Sequence, residues 1–207
     1  MGDRHLPIRP GFDKLALEAD ELLRGLRAGQ DVAVAMRRQH NPGGAGAEES
    51  ELEDAQLILA RSYGLDSWDR VALACRLVDA IWDDDVERVC ELIGQHPRLR
   101  DENALGVDSN WGPPMSHAAN LGRERIVEAL YELGAVDVQW AFDRACLQGR
   151  IPLARRLVEL GARPQPDSVI APAETQNGPG MEFLLELGAE IGDMDGNRLA
   201  PVAMVLE

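Results

Sequence analysis

A short motif that recurs at a constant interval limits the folds open to this chain. The tetrapeptide Glu-Leu-Gly-Ala occupies positions 132–135, 159–162 and 186–189 of the 207 residues, so its glycines are 27 residues apart each time. A fixed period of this length is typical of repeat proteins, in which each unit packs only on its neighbours. We therefore expect a row of similar units in this half of the chain.

Each copy of the motif closes a predicted helix. The three helical segments are 126–135, 153–162 and 181–189. In each of them, apolar residues recur at the spacing that forms one buried helix face. The glycine of the motif then stands where a helix commonly ends in a left-handed residue. The pattern predicts an amphipathic helix with a glycine stop in every unit.

A shorter helix is predicted before each of these amphipathic helices. The segments 113–122 and 140–149 both end in a glycine that lies twelve residues before the glycine of the motif. In the third unit the matching segment is 168–180, and its Gly178 lies only ten residues before Gly188. We predict a degraded first helix there, in a unit that is two residues short. Farther upstream, 71–99 predicts an earlier unit with helices near 71–82 and 86–94.

The pattern resembles the ankyrin-repeat family. The family's repeat begins Thr-Pro-Leu-His-x-Ala-Ala-x-x-Gly, continues through a Val-Val-x-x-Leu-Leu-x-x-Gly-Ala helix, and ends in a β-hairpin finger. Residues 113–122 and 140–149 fill the places of the first helix, with the small pairs Ala118–Ala119 and Ala145–Cys146 where adjacent repeats approach closely. The resemblance implies an all-α fold, an α-solenoid of stacked helix-turn-helix units.

The chain departs from the family pattern in two respects. Its period is about six residues shorter than the family's, and the short sequence Val-Asp-Val-Gln between Ala135 and Trp140 predicts a stub in place of the finger. The family's Thr and His, which tie neighbouring turns together, are also replaced. Ser116 and Asp143 can still accept hydrogen bonds from backbone amides. Residues 102–112 are long enough for a full finger.

The N-terminal part predicts a helical cap on the repeats. We expect a flexible segment at 1–11, a cap at 12–70, and about four repeats at 71–207, the last of them incomplete. Within the cap, we predict helices at 12–39 and 51–68 around a glycine-rich loop. The second of these helices ends near Gly64 and resembles the lead-in of many bacterial ankyrin proteins.

The predicted C-terminal unit is unfinished. Residues 193–207 predict a finger followed by the start of a helix, whose apolar face would include Val202, Val205 and Leu206. A repeat stack needs a polar cap, because a bare apolar face favours association. Self-association through this end is therefore possible. The Asp193–Asn197 sequence has the spacing of a hairpin turn rather than that of a calcium loop.

Composition restricts the partners and the compartment. With 21 basic and 36 acidic residues, the formal charge is −15, which disfavours nucleic acids and anionic membrane surfaces. The N-terminus lacks an apolar signal core, and three widely spaced cysteines predict buried, reduced thiols. The basic residues are nearly all arginine, Lys14 being the single lysine. We expect a bacterial, cytoplasmic protein.

Two tryptophans mark the predicted binding surface. In the register of the family, Trp111 and Trp140 lie at the start of first helices, which line the concave face of a solenoid, and accessible tryptophans are frequent binding hot spots. Packing of both between repeats is the alternative. The other residues predicted to face this groove are Asn110, His117, Asn120, Asp143, Arg144 and Gln148. The favoured function is a protein-interaction module whose partner has a basic or mixed surface.

An enzyme or small-molecule-binding protein on the same scaffold is the alternative function. His117, Asp143 and Glu174 lie on successive first helices, and a histidine beside carboxylates is able to perform acid–base chemistry. Under the favoured reading there are no catalytic residues. The four histidines and three cysteines do not have the spacing of a metal site, so we expect neither a metal nor a cofactor.

Overall fold

The computed structural model describes residues 4–44, 46–165 and 168–189. All regular structure in these ranges is helical, which confirms the prediction of an all-α fold. None of these helices combines the length and the apolar character that spanning a membrane requires. The chain divides into two compact units, Met1–Ala80 with Asn103–Asn110 and Ile81–Glu102 with Trp111–Glu207.

The first unit is built from α1 (Phe12–Arg27), α2 (Asp31–His40), α3 (Leu52–Ser62) and most of α4 (Trp68–Trp82). The first three helices all contact one another. Their apolar faces form one core, to which α1 contributes Leu15, Leu22 and Leu26, and α3 contributes Ile58 and Leu59. The predicted helical cap at 12–70 therefore has a hydrophobic core of its own.

The helix predicted at 12–39 is interrupted, and this prediction was wrong in its extent. Gly29 has a left-handed backbone, with φ of 65°. The N–H of Gln30 returns to the carbonyl of Gly25 at 2.9 Å, which is a helix-ending hydrogen bond. The chain therefore turns between α1 and α2. A continuous apolar pattern across this glycine concealed the break.

Residues 103–110 do not form the predicted finger. They contain turns and no strand, and they belong to the first unit. Ala104 and Leu105 are buried. Gly106 closely approaches the segment between α3 and α4, since a Cβ there would lie 2.8 Å from the Leu65 side chain. Apolar side chains in this segment thus make it part of a core instead of a projecting hairpin.

The second unit contains successive helix pairs. After the end of α4 come α5 (Val86–Gln95), a 3₁₀ helix (Pro97–Arg100), α6 (Pro114–Leu121), α7 (Glu124–Glu132), α8 (Val138–Leu147), α9 (Ile151–Glu159), α10 (Ile170–Glu174) and α11 (Gly178–Glu186). The first helices of neighbouring pairs contact each other, α6 with α8 and α8 with α10, and the second helices do likewise, α5 with α7 and α9 with α11. The predicted helix pairs are therefore present, side by side.

The glycines of the repeated motif end their helices as predicted. Gly134, Gly161 and Gly188 all have positive φ angles, of 84°, 111° and 85°. After α7, the N–H of Ala135 donates to the carbonyl of Leu130 at 3.0 Å, and the same bond follows α9 and α11. This is the hydrogen-bond pattern of a helix that stops at a left-handed residue. The 27-residue period of the sequence is therefore the interval at which these helices end.

The third pair has the same length as the others, which corrects the prediction that it is two residues short. The left-handed residue that ends its first helix is Gln176, with φ of 54°, rather than Gly178. Gln176 lies 27 residues after Gly149, which itself lies 27 after Gly122. The sequence pattern missed this position because the residue type there is not glycine.

Replacing Gln176 with glycine is expected to stabilise the protein by about 1 kcal/mol, because a left-handed conformation is costly for a residue with a Cβ. The opposite change, Gly149→Ala, should destabilise it. There the backbone is also left-handed, and a Cβ would lie 2.9 Å from the Asn177 amide. Urea unfolding of both variants would check the two signs. An unchanged midpoint for Gln176→Gly would contradict the prediction.

Candidate functional site

One helix face in the second unit is accessible and carries large side chains. Trp140, Arg144 and Gln148, at four-residue intervals, lie along one side of α8 and its last turn. Trp140 is 37% exposed, Gln148 is exposed, and Arg144 is half-buried. We call these three residues the α8 face. They are three of the residues that the sequence predicted to face a groove.

The indole of Trp140 rests on the backbone that leads into α6. A Cβ at Gly112 would lie 3.1 Å from the ring, and Gly112 has φ of 72°. Trp140 is therefore supported on one side, while more than a third of its surface stays open to solvent. A rigidly held and partly exposed aromatic ring loses little entropy when it binds a partner.

Trp111 has a different environment. Its ring stacks on Trp82, with ring centres 6.1 Å apart, and it meets the imidazole of His117 at 4.7 Å. Trp111 is half-buried by these contacts. The sequence left open that the tryptophans pack between repeats. Trp111 does so, because it contacts Trp82 at the end of α4 and His117 in α6. Asn110 is exposed but belongs to the first unit.

His117 and Asn120 lie inside the fold. His117 is 0% exposed and Asn120 is 4% exposed. The amide nitrogen of Asn120 donates to the carbonyl of Ser116, one turn earlier in α6, at 3.2 Å. Within the described residues, neither ring nitrogen of His117 has a hydrogen-bond partner. A partner that binds the folded surface would therefore not reach either side chain.

Burial dominates the chemistry of His117. Desolvation lowers the pKa of its imidazole to about 4, with no contribution from a charged side chain of the described ranges. The ring is consequently neutral at pH 7, and no carboxylate in the described part of the chain is hydrogen-bonded to it. These are not the features of an acid–base catalyst, which needs a proton path to a substrate.

Asp143 and Glu174, the other two residues of the alternative catalytic set, are not hydrogen-bonded to the imidazole of His117. The Oδ1 atom of Asp143 accepts hydrogen bonds from Gln139 at 3.3 Å and from the Ser168 hydroxyl at 3.2 Å. Glu174 is exposed at the end of α10. Since the His117 nitrogens are unbonded, no hydrogen bond joins His117 to either carboxylate. The enzymatic reading stays a prediction without a geometric constellation behind it.

Two Ser–Asp pairs tie neighbouring repeats together, and the sequence predicted only half of each. The Oδ2 atom of Asp137 accepts from the hydroxyl of Ser116 at 2.6 Å and from its backbone N–H at 3.0 Å. One repeat later, Asp143 takes the place of Ser116, and Ser168 supplies the hydroxyl. The two residue types are exchanged but the contact is kept. Asp137 lies in the finger stub, and the sequence pattern does not indicate a role for it.

The three cysteines of the chain are largely shielded from solvent. Cys75 and Cys146 are buried and Cys90 is half-buried, and all three are free. Burial raises the pKa of the Cys75 and Cys146 thiols to about 12, so neither is a nucleophile at neutral pH. Across the described ranges, no three metal-ligating side chains converge.

Arg144 is the one member of the α8 face with an unsatisfied charge. Among the described residues, Asp143 is the charged side chain that acts on it, and burial lowers the pKa of its guanidinium. No hydrogen bond or ion pair within the described part of the chain engages its N–H groups. By contrast, Arg156 on α9 binds both Glu128 and Glu159. Arg144 thus presents free donors beside Trp140.

Neither a protein-family model nor a curated protein matches this chain.

Proposed function

We propose that this chain is a non-enzymatic protein-interaction module, in which ankyrin-like helix pairs form a solenoid and a partner binds the α8 face. The observation that carries the proposal is Trp140, a supported but exposed indole beside an arginine with free donors. Tryptophan and arginine are the residue types most enriched among binding hot spots.

The repeat architecture supports this proposal. The ends of the first helices, at Gly122, Gly149 and Gln176, recur every 27 residues, and so do the ends of the second helices. The first helices of successive pairs are in contact. In repeat proteins, side chains along such a row of helices form an extended surface for binding another protein. The short stub before α8 leaves Val136 79% exposed.

The setting of the proposed interaction follows from composition. We propose a bacterial, cytoplasmic protein; three free cysteines are typical of a reducing compartment. The charge of −15 disfavours nucleic acid and anionic membranes as partners. Predicted self-association through 193–207 concerns residues outside the described ranges, as does the predicted turn at 193–197. Both stay predictions.

Truncation of Trp140 is the test. In affinity capture from a bacterial lysate, Trp140→Ala should reduce recovery of the partner about tenfold or more, because loss of a hot-spot tryptophan costs about 2 kcal/mol or more. Tyr131→Ala on α7 is the matched control, since Tyr131 is 39% exposed and Trp140 37%. Equal loss in both variants, or loss in neither, would remove the α8 face as the binding site.

A further inference from the structure

The α8 face has a local charge opposite to that of the whole chain. The chain carries −15, and this total led us to expect a basic or mixed partner. On α8, however, Arg144 projects from the same side as Trp140 and has no hydrogen-bond acceptor in the described residues. A partner contacts the binding surface directly. At that distance the nearest unpaired charge contributes more to the interaction energy than the net charge of the whole chain, which is screened.

The hydrogen-bonding capacity of Arg144 is set by its neighbours. Asp143, the adjacent carboxylate, points its Oδ1 atom toward the donors of Gln139 and Ser168. It therefore lowers the local positive potential without occupying the guanidinium fork. A planar guanidinium with free N–H groups matches a carboxylate in a two-bond geometry that an ammonium group does not reproduce.

The partial burial of Arg144 favours binding of a carboxylate. Arg144 is half-buried, and the burial disfavours its charged form. An incoming carboxylate would supply the missing counter-charge, and the hydrogen bonds between two ions are roughly twice as strong as those between neutral groups. The apolar ring four residues earlier offers a contact for a hydrophobic side chain next to that carboxylate.

We propose that the α8 face recognises a peptide segment of its partner in which an Asp, a Glu or a C-terminal carboxylate lies within about three residues of an aromatic or aliphatic side chain. The carboxylate binds the Arg144 guanidinium, and the apolar side chain packs on Trp140. This inference rests on the proposed function, because it names the chemistry of the partner at the same surface. It replaces the expectation of a partner with a basic or mixed surface.

Selection from a library of random heptapeptides displayed on phage, against the folded full-length chain, tests the proposal. The enriched peptides should combine an acidic residue with a nearby aromatic or aliphatic one. For such a peptide, Arg144→Gln should raise Kd about tenfold or more, and Arg144→Lys should raise it by less. Asp143→Asn keeps the acceptor for Ser168 but removes the competing charge, so it should lower Kd.

The outcomes separate the two proposals. Acidic peptides that bind wild type and Arg144→Gln equally, or a pool enriched in basic or uncharged peptides whose binding still needs Trp140, would overturn the carboxylate inference and leave the interaction surface standing. Peptides that bind independently of Trp140, or no enrichment at all, would count against both. Tyr131→Ala should change nothing. Unchanged thermal unfolding of Arg144→Gln checks that the fold is intact, because removing a desolvated charge should not destabilise it.

Discussion

Acidification from pH 7 to pH 4 is expected to lower the free energy of unfolding by about 3 kcal/mol through His117 alone. In the folded chain the pKa of this buried imidazole is lowered to about 4, whereas in the unfolded chain it returns to about 6.5. At a pH between these two pKa values, the unfolded chain binds a proton at this site and the folded chain does not. The stabilising contribution is therefore present above pH 6.5 and is lost as the pH falls toward 4.

The variant His117→Leu isolates this contribution from the carboxylates that titrate in the same range. It replaces two buried nitrogens that lack partners with apolar atoms, a change that is commonly neutral or stabilising. Urea unfolding at several pH values should show a smaller acid loss in the variant than in wild type. The imidazole resonances of His117 in wild type should stay those of the neutral form until the pH approaches 4. Titration of His117 near pH 6.5 would refute the prediction.

The sequence predicted the helix ends of the second unit well, because a glycine in a left-handed conformation has few substitutes. Gly134, Gly161 and Gly188 were found from their type and spacing alone, and all three have positive φ angles. The same reasoning missed Gln176, since a tolerated but strained residue leaves no compositional signal. It also missed the break at Gly29, where the apolar pattern runs through the turn without a change of phase.

The candidate site was predicted less completely, because burial and pairing depend on tertiary contacts. Trp140, Arg144 and Gln148 were all named from the repeat register, and all three lie on one face of α8. His117 and Asn120 were named by the same logic, but α6 is enclosed on all sides from Pro114 to Asn120. Period alone does not reveal whether a given helix face is covered.

Hydrogen-bond partners far apart in sequence were beyond the reach of sequence reasoning. Ser116 and Asp137 are 21 residues apart, and Asp143 and Ser168 are 25 apart. Ser116 and Asp143 are 27 residues apart, but their partners Asp137 and Ser168 are 31 apart, so the period of the sequence does not relate the two contacts. Exchange of donor and acceptor between repeats hides the contact in the sequence while keeping it in space. A missing charge partner for Arg144 is likewise visible only once its surroundings are known.

Replacing Gly180 with alanine is expected to destabilise the protein by about 3 kcal/mol, as overpacking against an immovable neighbour does. A Cβ at this buried position in α11 would lie 2.2 Å from the carbonyl oxygen of Cys146 and 3.1 Å from its carbonyl carbon. These are backbone atoms near the end of α8, so no side chain can rotate away. The α11 helix would have to move off α8, and the packing of Phe142 against Phe183 (ring centres 6.5 Å apart) would loosen with it.

Gly94 provides the control, because it is exposed near the end of α5 and a Cβ there would have no atom within 4 Å outside its own helix and chain neighbours. Gly94→Ala should therefore stabilise the protein by about 0.5 kcal/mol through the lower conformational entropy of the unfolded chain. The two identical substitutions should have opposite signs because Gly180 packs on the backbone of α8, whereas Gly94 faces open space. Thermal or urea unfolding of both variants measures this, and a Gly180→Ala protein as stable as wild type would show that the third helix pair is not seated on the second in this way.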